Sequence, residues 1–170
     1  MKTLFQSTLD GDFQSVKNAV EEKKNIVKKV DEDGRTLLHW ACSGKHLHIV
    51  EYLLQNGSDI NALDGSDWSP LMIAVSVGDF NITKLLTTNG ADVNHANASK
   101  QTICHYAASK NRLEIAKLLV ENGMQVNHRD KMNQTPLHRA AIAGHSGMIK
   151  FLIDHKAQVI MSIHKIDKSL

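Results

Sequence analysis

The chain lacks most of what marks a secreted, membrane-bound or nucleic-acid-binding protein. Its 170 residues include only two cysteines, Cys42 and Cys104. They lie far apart and form no CxxC, which argues against a disulfide framework or a zinc ribbon and suits reduced thiols. Charge excess is also missing. Against 20 Lys and Arg stand 18 Asp and Glu, a formal net charge of +2, whereas bulk binding to nucleic acid needs a strongly basic face. No apolar run approaches the length of a membrane span. The N-terminal MKTLFQSTLDGDFQ has no continuous apolar core of the secretory type. The glycosylation patterns Asn81-Ile82-Thr83 and Asn97-Ala98-Ser99 are therefore expected to go unused. A hydrophobic content of 42% suffices for one compact domain or one short repeat array.

What the sequence does have is a period. Thr36-Leu37-Leu38-His39 is echoed by Ser69-Pro70-Leu71-Met72, Thr102-Ile103-Cys104-His105 and Thr135-Pro136-Leu137-His138, each 33 residues after the last. Ala41, Ala74, Ala107 and Ala140 follow in phase. Apolar pairs at helical spacing come next, such as Ile49/Val50 with Leu53/Leu54 and Ile115/Ala116 with Leu118/Leu119. Gly57, Gly90 and Gly123 stand where left-handed helix caps are needed, and Asp59-Ile60-Asn61 and Asp92-Val93-Asn94 repeat beyond them. The unit is a short helix, a turn, a longer helix, a glycine stop and a polar hairpin. Its T-P-L-H start and 33-residue period are those of the ankyrin repeat. The expected fold is an all-α repeat solenoid of about five helix-turn-helix units with β-hairpin fingers, in one domain over 1–170. Repeats start at 36, 69, 102 and 135. A degenerate unit at 1–35 caps the array, its outer face carrying Lys17, Glu21, Glu22, Lys23 and Lys24. Residues 158–170 form a divergent tail.

Periodicity removes the most tempting chemistry. His39, His105 and His138 occupy one repeat position, about 10 Å apart from unit to unit, whereas zinc needs nitrogens at about 2 Å. His95 and His128 fail as ligands for the same reason. The stacked histidines are expected to tie one unit's backbone to the next, and Cys42 to fill space. No nucleophile, base and orienting group stand together, so neither catalysis nor a metal or cofactor is expected. Asn61 and Asn94 match the hairpin pattern recognised by asparaginyl hydroxylase and are candidate acceptors. One turn resists interpretation: Gly44 precedes Lys45, where the other units place Gly78, Asn111 and Gly144.

The concave face of such an array is built from finger tips and first helices. Trp40, Ile73, Tyr106 and Arg139 form one ladder there, and Gly44, Val77, Lys110 and Ala143 a second. Trp40 and Trp68 can serve as interface anchors or pack on the neighbouring hairpin. The early tips carry Asp31, Glu32, Asp33, Asp64 and Asp67 around Arg35. Later units contribute Lys100, Lys110, Arg112, Arg129, Lys131 and Arg139. This gradient is either a solvated mixture or a docking surface for a partner with the opposite gradient.

The stretches DGRTLLHWACSGKHLHIVEYLLQNG and CHYAASKNRLEIAKLLVENG, with Trp68-Ser69-Pro70 and His138-Arg139-Ala140-Ala141, resemble the gankyrin family of proteasome-associated ankyrin proteins. The resemblance runs over roughly residues 3–157. It implies a non-enzymatic assembly chaperone of the proteasome regulatory particle, in cytoplasm and nucleus, that captures the C-terminal domain of a proteasomal ATPase subunit. The implied partner-binding residues are Asp33, Arg35, Trp40, Asp64, Trp68, Ile73, Tyr106, Lys110 and Arg139; Arg35 and Lys110 match the family's prominent basic contacts. Binding of a cell-cycle kinase is also implied, and inhibition of such a kinase or of a transcription factor is the competing reading. The family has seven repeats, and its LxCxE motif has no counterpart here. A shortened C-terminus is expected to expose the Met148–Ile153 helix unless Ile160, Ile163 and Ile166 fold over it.

Overall fold

Each Thr or Ser that opens a repeat starts a helix. The computed structural model describes residues 2–157, with paired helices α1 (Leu4–Leu9) and α2 (Phe13–Glu22), α3 (Leu37–Ser43) and α4 (Leu47–Gln55). The pairs continue with α5 (Pro70–Val77) and α6 (Phe80–Thr88), α7 (Ile103–Ser109) and α8 (Leu113–Glu121), α9 (Pro136–Ile142) and α10 (Ser146–Asp154). The array is the expected all-helical solenoid, with five units among the described residues. Its fingers carry isolated antiparallel bridges, Val30 to Thr36 and Ala96 to Thr102; the hairpins are closed mainly by turns.

Capping sets the helix starts. Thr36, Thr102 and Thr135 form capping boxes with His39, His105 and His138, so two otherwise orphaned N–H groups at each start are satisfied. Pro70 and Pro136 occupy first-turn positions, where their missing N–H costs nothing. Asp12 and Asp79 cap α2 and α6. The second helices stop at Gly57, Gly90 and Gly123, all left-handed. Lys24 stands in that phase in the first unit, and there the chain continues into a 3₁₀ helix, Lys24–Lys28, whose Val27 is buried.

The irregular turn after α3 is resolved. Lys45 takes the left-handed conformation itself, φ 60°, as Asn111 does at 53°. Gly44 has an ordinary φ of −78° but no room: a Cβ there would lie 2.4 Å from the Leu9 carbonyl oxygen and 2.6 Å from the His46 ring. That glycine answers to crowding by the preceding unit, not to backbone twist.

First helices pack on first helices (α1, α3, α5, α7, α9 in series), and the second helices pack behind them from α4 to α10. Ala41, Ala74, Ala107 and Ala140 are buried in the first-helix stack, where a small side chain lets backbones approach. Leu53, Ile82, Leu86, Leu119, Met148 and Leu152 bury the second helices against them. Glu21, Glu22, Lys23 and Lys24 on the outer face are exposed as expected, and Lys17 pairs with Glu21 at 3.8 Å. On α10, Met148 and Leu152 are buried whereas Ile153 is 46% exposed, and Ile142 of α9 reaches 73%. Ile160, Ile163 and Ile166 lie outside the described residues.

Histidines join the units. The Thr36 N–H donates to His39 Nδ1 at 3.1 Å, so Nε2 carries the proton and donates to the Trp68 carbonyl at 2.9 Å. His105 repeats this, with Thr102 N at 3.1 Å and the Gln134 carbonyl at 3.0 Å. His138 makes the local half, to Thr135 N at 3.1 Å; the carbonyl in phase belongs to residue 167, outside the described residues. Met72 replaces the histidine in the unit between.

Both bridging histidines are buried and neutral. Desolvation, the largest influence, pushes their pKa values down, against the raising effect of the accepting carbonyls. The unfolded chain therefore binds protons that the folded chain refuses. Their stabilisation is complete above the unfolded value of about 6.5 and is lost as pH falls toward the folded values, at no more than about 1.4 kcal/mol per pH unit for each. Denaturant titrations between pH 7.5 and 5.5 should show this acid-side loss. The His105→Met variant, copying the unit that carries Met72, should have a shallower slope; an unchanged slope would refute the assignment.

Candidate protein-binding face

The fingers must satisfy their own backbone, because two residues of extended pairing cannot. One side chain per finger does so. Asp31 Oδ1 accepts from the N–H groups of Asp33 and Arg35, both at 2.9 Å. Asp64 Oδ1 accepts from Ser66 and Trp68 at 2.9 Å, Asn97 Oδ1 from Ser99 and Gln101 at 3.0 Å, and Asp130 Oδ1 from Met132 and Gln134 at 2.9 Å. The tips then bond to one another: Gly65 N to Asp33 O at 2.7 Å, Ala98 N to Ser66 O at 3.1 Å, Lys131 N to Ser99 O at 3.0 Å.

The second polar atom of each closing residue faces the first helices, and the expected recognition ladder meets it there. Trp40 Nε1 donates to Asp31 Oδ2 at 2.8 Å. Asn97 Nδ2 donates to the Tyr106 hydroxyl at 2.9 Å, and that hydroxyl donates to Gln101 Oε1 at 2.6 Å. Arg139 Nη2 pairs with Asp130 Oδ2. Ile73 has no polar atom to offer, and in its unit Arg35 reaches across from the preceding finger to Asp64 Oδ2 at 3.5 Å. Burial pulls the Asp130 carboxyl upward, but Arg139 and the Gln134 and Met132 N–H groups outweigh it, so its pKa falls below the ordinary value.

Several expectations change accordingly. Asp64 is not a free tip acid; its side chain is 6% exposed and closes a finger. Trp40, Tyr106 and Arg139 brace fingers, with their outer surfaces half-buried. Trp68 packs on Tyr106 of the neighbouring unit, ring centroids 4.5 Å apart and tilted by 48°, and stays half-buried. Arg35 lies 5.4 Å above the Trp40 ring and 3.9 Å from Asp33. With His39, Ser43, Ser66 and Ile73, residues Arg35, Trp40, Asp64 and Trp68 line a cleft of about 220 Å3. Lys110 is exposed and makes no ion pair among the described residues. The tip charges without an ion pair among the described residues are Glu32 and Asp67 early, Lys100 and Lys131 late, with Asp33 only loosely held. The gradient survives in reduced form.

The sequence pattern placed Asp31 and Asp64 among the tip acids and missed the finger-closing role, although Asp31, Asp64, Asn97 and Asp130 recur every 33 positions. Arg112, expected among the basic charges of the face, instead reaches back to the preceding unit, as do His46 and His145, one period or two away: the three bond the carbonyls of Ser76, Leu9 and Ser109 at 3.0, 2.8 and 3.1 Å. Asn61 and Asn94 also tie units: Asn61 Oδ1 accepts from Asp92 N at 2.9 Å, and Asn94 bonds Gln125 N at 2.8 Å and Gly123 O at 3.0 Å.

Burial drives both thiols upward, Cys104 to about 12 and Cys42 further, leaving neither as a thiolate at neutral pH. Among the described residues no group of three His, Cys, Asp or Glu side chains could hold a metal ion, and no helix is long and apolar enough to cross a membrane. What the face offers chemically is shape, aromatic edges and placed charge. The family described as ankyrin repeats (3 copies) matches residues 4–97 and 71–162. The chain belongs to the ankyrin-repeat family. It is similar to 26S proteasome non-ATPase regulatory subunit 10 of Homo sapiens, at 45% identity over 60 residues, 35% of this chain and 26% of that protein. The probable 26S proteasome regulatory subunit p28 of Saccharomyces cerevisiae is 34% identical over 79 residues, 45% of this chain and 35% of its own length. The RelA-associated inhibitor of Mus musculus is 36% identical over 76 residues, 45% of this chain and 9% of that protein. The matched stretches thus span about a third or less of these relatives, two of which are proteasome regulatory subunits.

Finger closure and surface charge separate cleanly by substitution. Asp64→Ala strips two backbone N–H groups and Arg35 of their acceptor, and should cost about 2 kcal/mol or more. Asp67→Ala and Lys110→Ala remove exposed side chains and should stay within about 0.5 kcal/mol. Urea unfolding of the three variants measures both; equal stability of Asp64→Ala and the parent would remove the closing role.

Proposed function

We propose that this ankyrin array is a non-catalytic scaffold that assists assembly of the proteasome regulatory particle, in cytoplasm and nucleus, by holding the C-terminal domain of a proteasomal ATPase subunit. The observation that carries the proposal is the set of free charges on a braced face. Glu32, Asp33 and Asp67 project from the early fingers and Lys100, Lys110 and Lys131 from the later units, around the Trp68–Tyr106 stack. Because Trp40 Nε1, the Tyr106 hydroxyl and Arg139 Nη2 are each bonded to their own finger, these side chains are positioned before a partner arrives, which lowers the ordering cost of binding. The similarity to two proteasome regulatory subunits supports a proteasomal partner.

Lys110 is the cleanest probe, since Arg35→Glu would also set a like charge beside buried Asp64. Lys110→Glu should weaken binding of the ATPase C-terminal domain about tenfold or more, and Asp67→Lys similarly, with a steep loss between low and physiological salt. Trp68→Ala should weaken binding with little salt dependence. Titration calorimetry on these variants tests the reading; parent-like affinity for both charge reversals would overturn it.

The similarity to the RelA-associated inhibitor favours a second reading, inhibition of a transcription factor or a cell-cycle kinase through the same face. Hydroxylation of Asn61 and Asn94 is compatible with their exposure, since a Cβ hydroxyl leaves both amide groups free to keep their bonds. Intact mass after treatment with an asparaginyl hydroxylase should rise by the mass of one oxygen per site; an unchanged mass would dismiss both residues.

A further inference from the structure

A second recess lies away from the first helices. It is a groove of about 940 Å3, and no residue of α7 or α9 contributes to it. Its floor is apolar: Val120 at the end of α8, buried Met124 and Val126 in the loop beyond, and Ala96 under the third finger. Its rim is Lys100, His128, Arg129 and His155, with Gln125 and Asn127 between, and among the described residues no carboxylate lines it. The absence of acid is informative, because 18 acidic residues are spread along a nearly neutral chain. Asp130, next to Arg129 in the chain, is already paired with Arg139. Arg129 is held to that finger through the carbonyl and side-chain oxygens of Asn133, at 3.1 and 2.9 Å. These acceptors are neutral, and Arg129 has no carboxylate partner among the described residues. His155 is anchored by Nδ1 to the Phe151 carbonyl at 2.8 Å and stacks on the Phe151 ring, centroids 4.2 Å apart.

We propose that this groove is a second protein-interaction site, taking a short acidic amphipathic segment: leucine or phenylalanine side chains on the Val120–Met124–Val126 floor, carboxylates on Arg129 and Lys100. Charge complementarity selects the acid and the floor selects the apolar residues. Nucleic acid fits less well, since single strands need aromatic platforms on which bases stack, and the floor has none. The site does not depend on the concave-face proposal. Two segments of one partner, or two partners, can occupy the array together.

The test uses the full chain and a fluorescein-labelled peptide alternating glutamate with leucine and phenylalanine. Anisotropy should report saturable binding in the micromolar range, and the same peptide with glutamine for glutamate should bind at least about fivefold more weakly. Arg129→Glu should weaken the acidic peptide by a similar factor, while Arg129→Lys retains it and excludes misfolding as the cause. Lys110→Glu, on the concave face, should leave it unchanged. Amide shifts on titration should concentrate at residues 96, 100, 120–129 and 155. Equal affinity for the acidic and neutral peptides, equal loss in Arg129→Glu and Lys110→Glu, or tighter binding of an oligo-dT of similar length would each overturn the assignment.

Discussion

One demand organises the molecule: backbone groups that a short finger and a short helix leave unpaired must find partners, and in a stack the nearest partners belong to the next unit. A finger has too few residues for a ladder, so an Asp or Asn at its base takes two N–H groups. A first helix has too few turns to satisfy its own start, so Thr and His close it and the same imidazole reaches on to the following finger. Each unit is therefore incomplete alone, and its local defects become the contacts that set spacing between neighbours.

This demand also shapes the binding face. A side chain at the fourth position of a first helix points toward the concave surface and equally toward the base of its own finger. Trp40, Tyr106 and Arg139 satisfy the finger first and offer only their remaining surface outward. Recognition then falls to residues with no internal duty, above all the exposed lysines and tip acids. Where the ladder holds an apolar residue, Ile73, a neighbour's arginine completes the network instead. Polar satisfaction ranks above exposure because a buried unpaired group costs about 1–3 kcal/mol, more than a surface contact returns.

The repeat architecture was readable because its causes are local. Capping residues, Pro at first turns, Gly stops and apolar spacing act within a few positions and recur every 33 residues, so their phase alone locates the helices of every unit. Part of the site was readable for the same reason: the histidines' structural role, the inertness of Cys42 and the exposure of Lys110 all follow from phase. The bracing of Asp64 by Arg35 was not, since it joins residues 29 apart through a gap that Ile73 leaves.

By itself, then, the sequence determined the family of fold and the register of its units, because both depend on short-range order multiplied by repetition. Only the tertiary structure decided which charges are spent and which are free, and why Gly44 must be glycine. It also decided that a basic, apolar-floored groove forms behind the fingers. Those outcomes depend on what the neighbouring unit presses against a residue. No local pattern carries that distance.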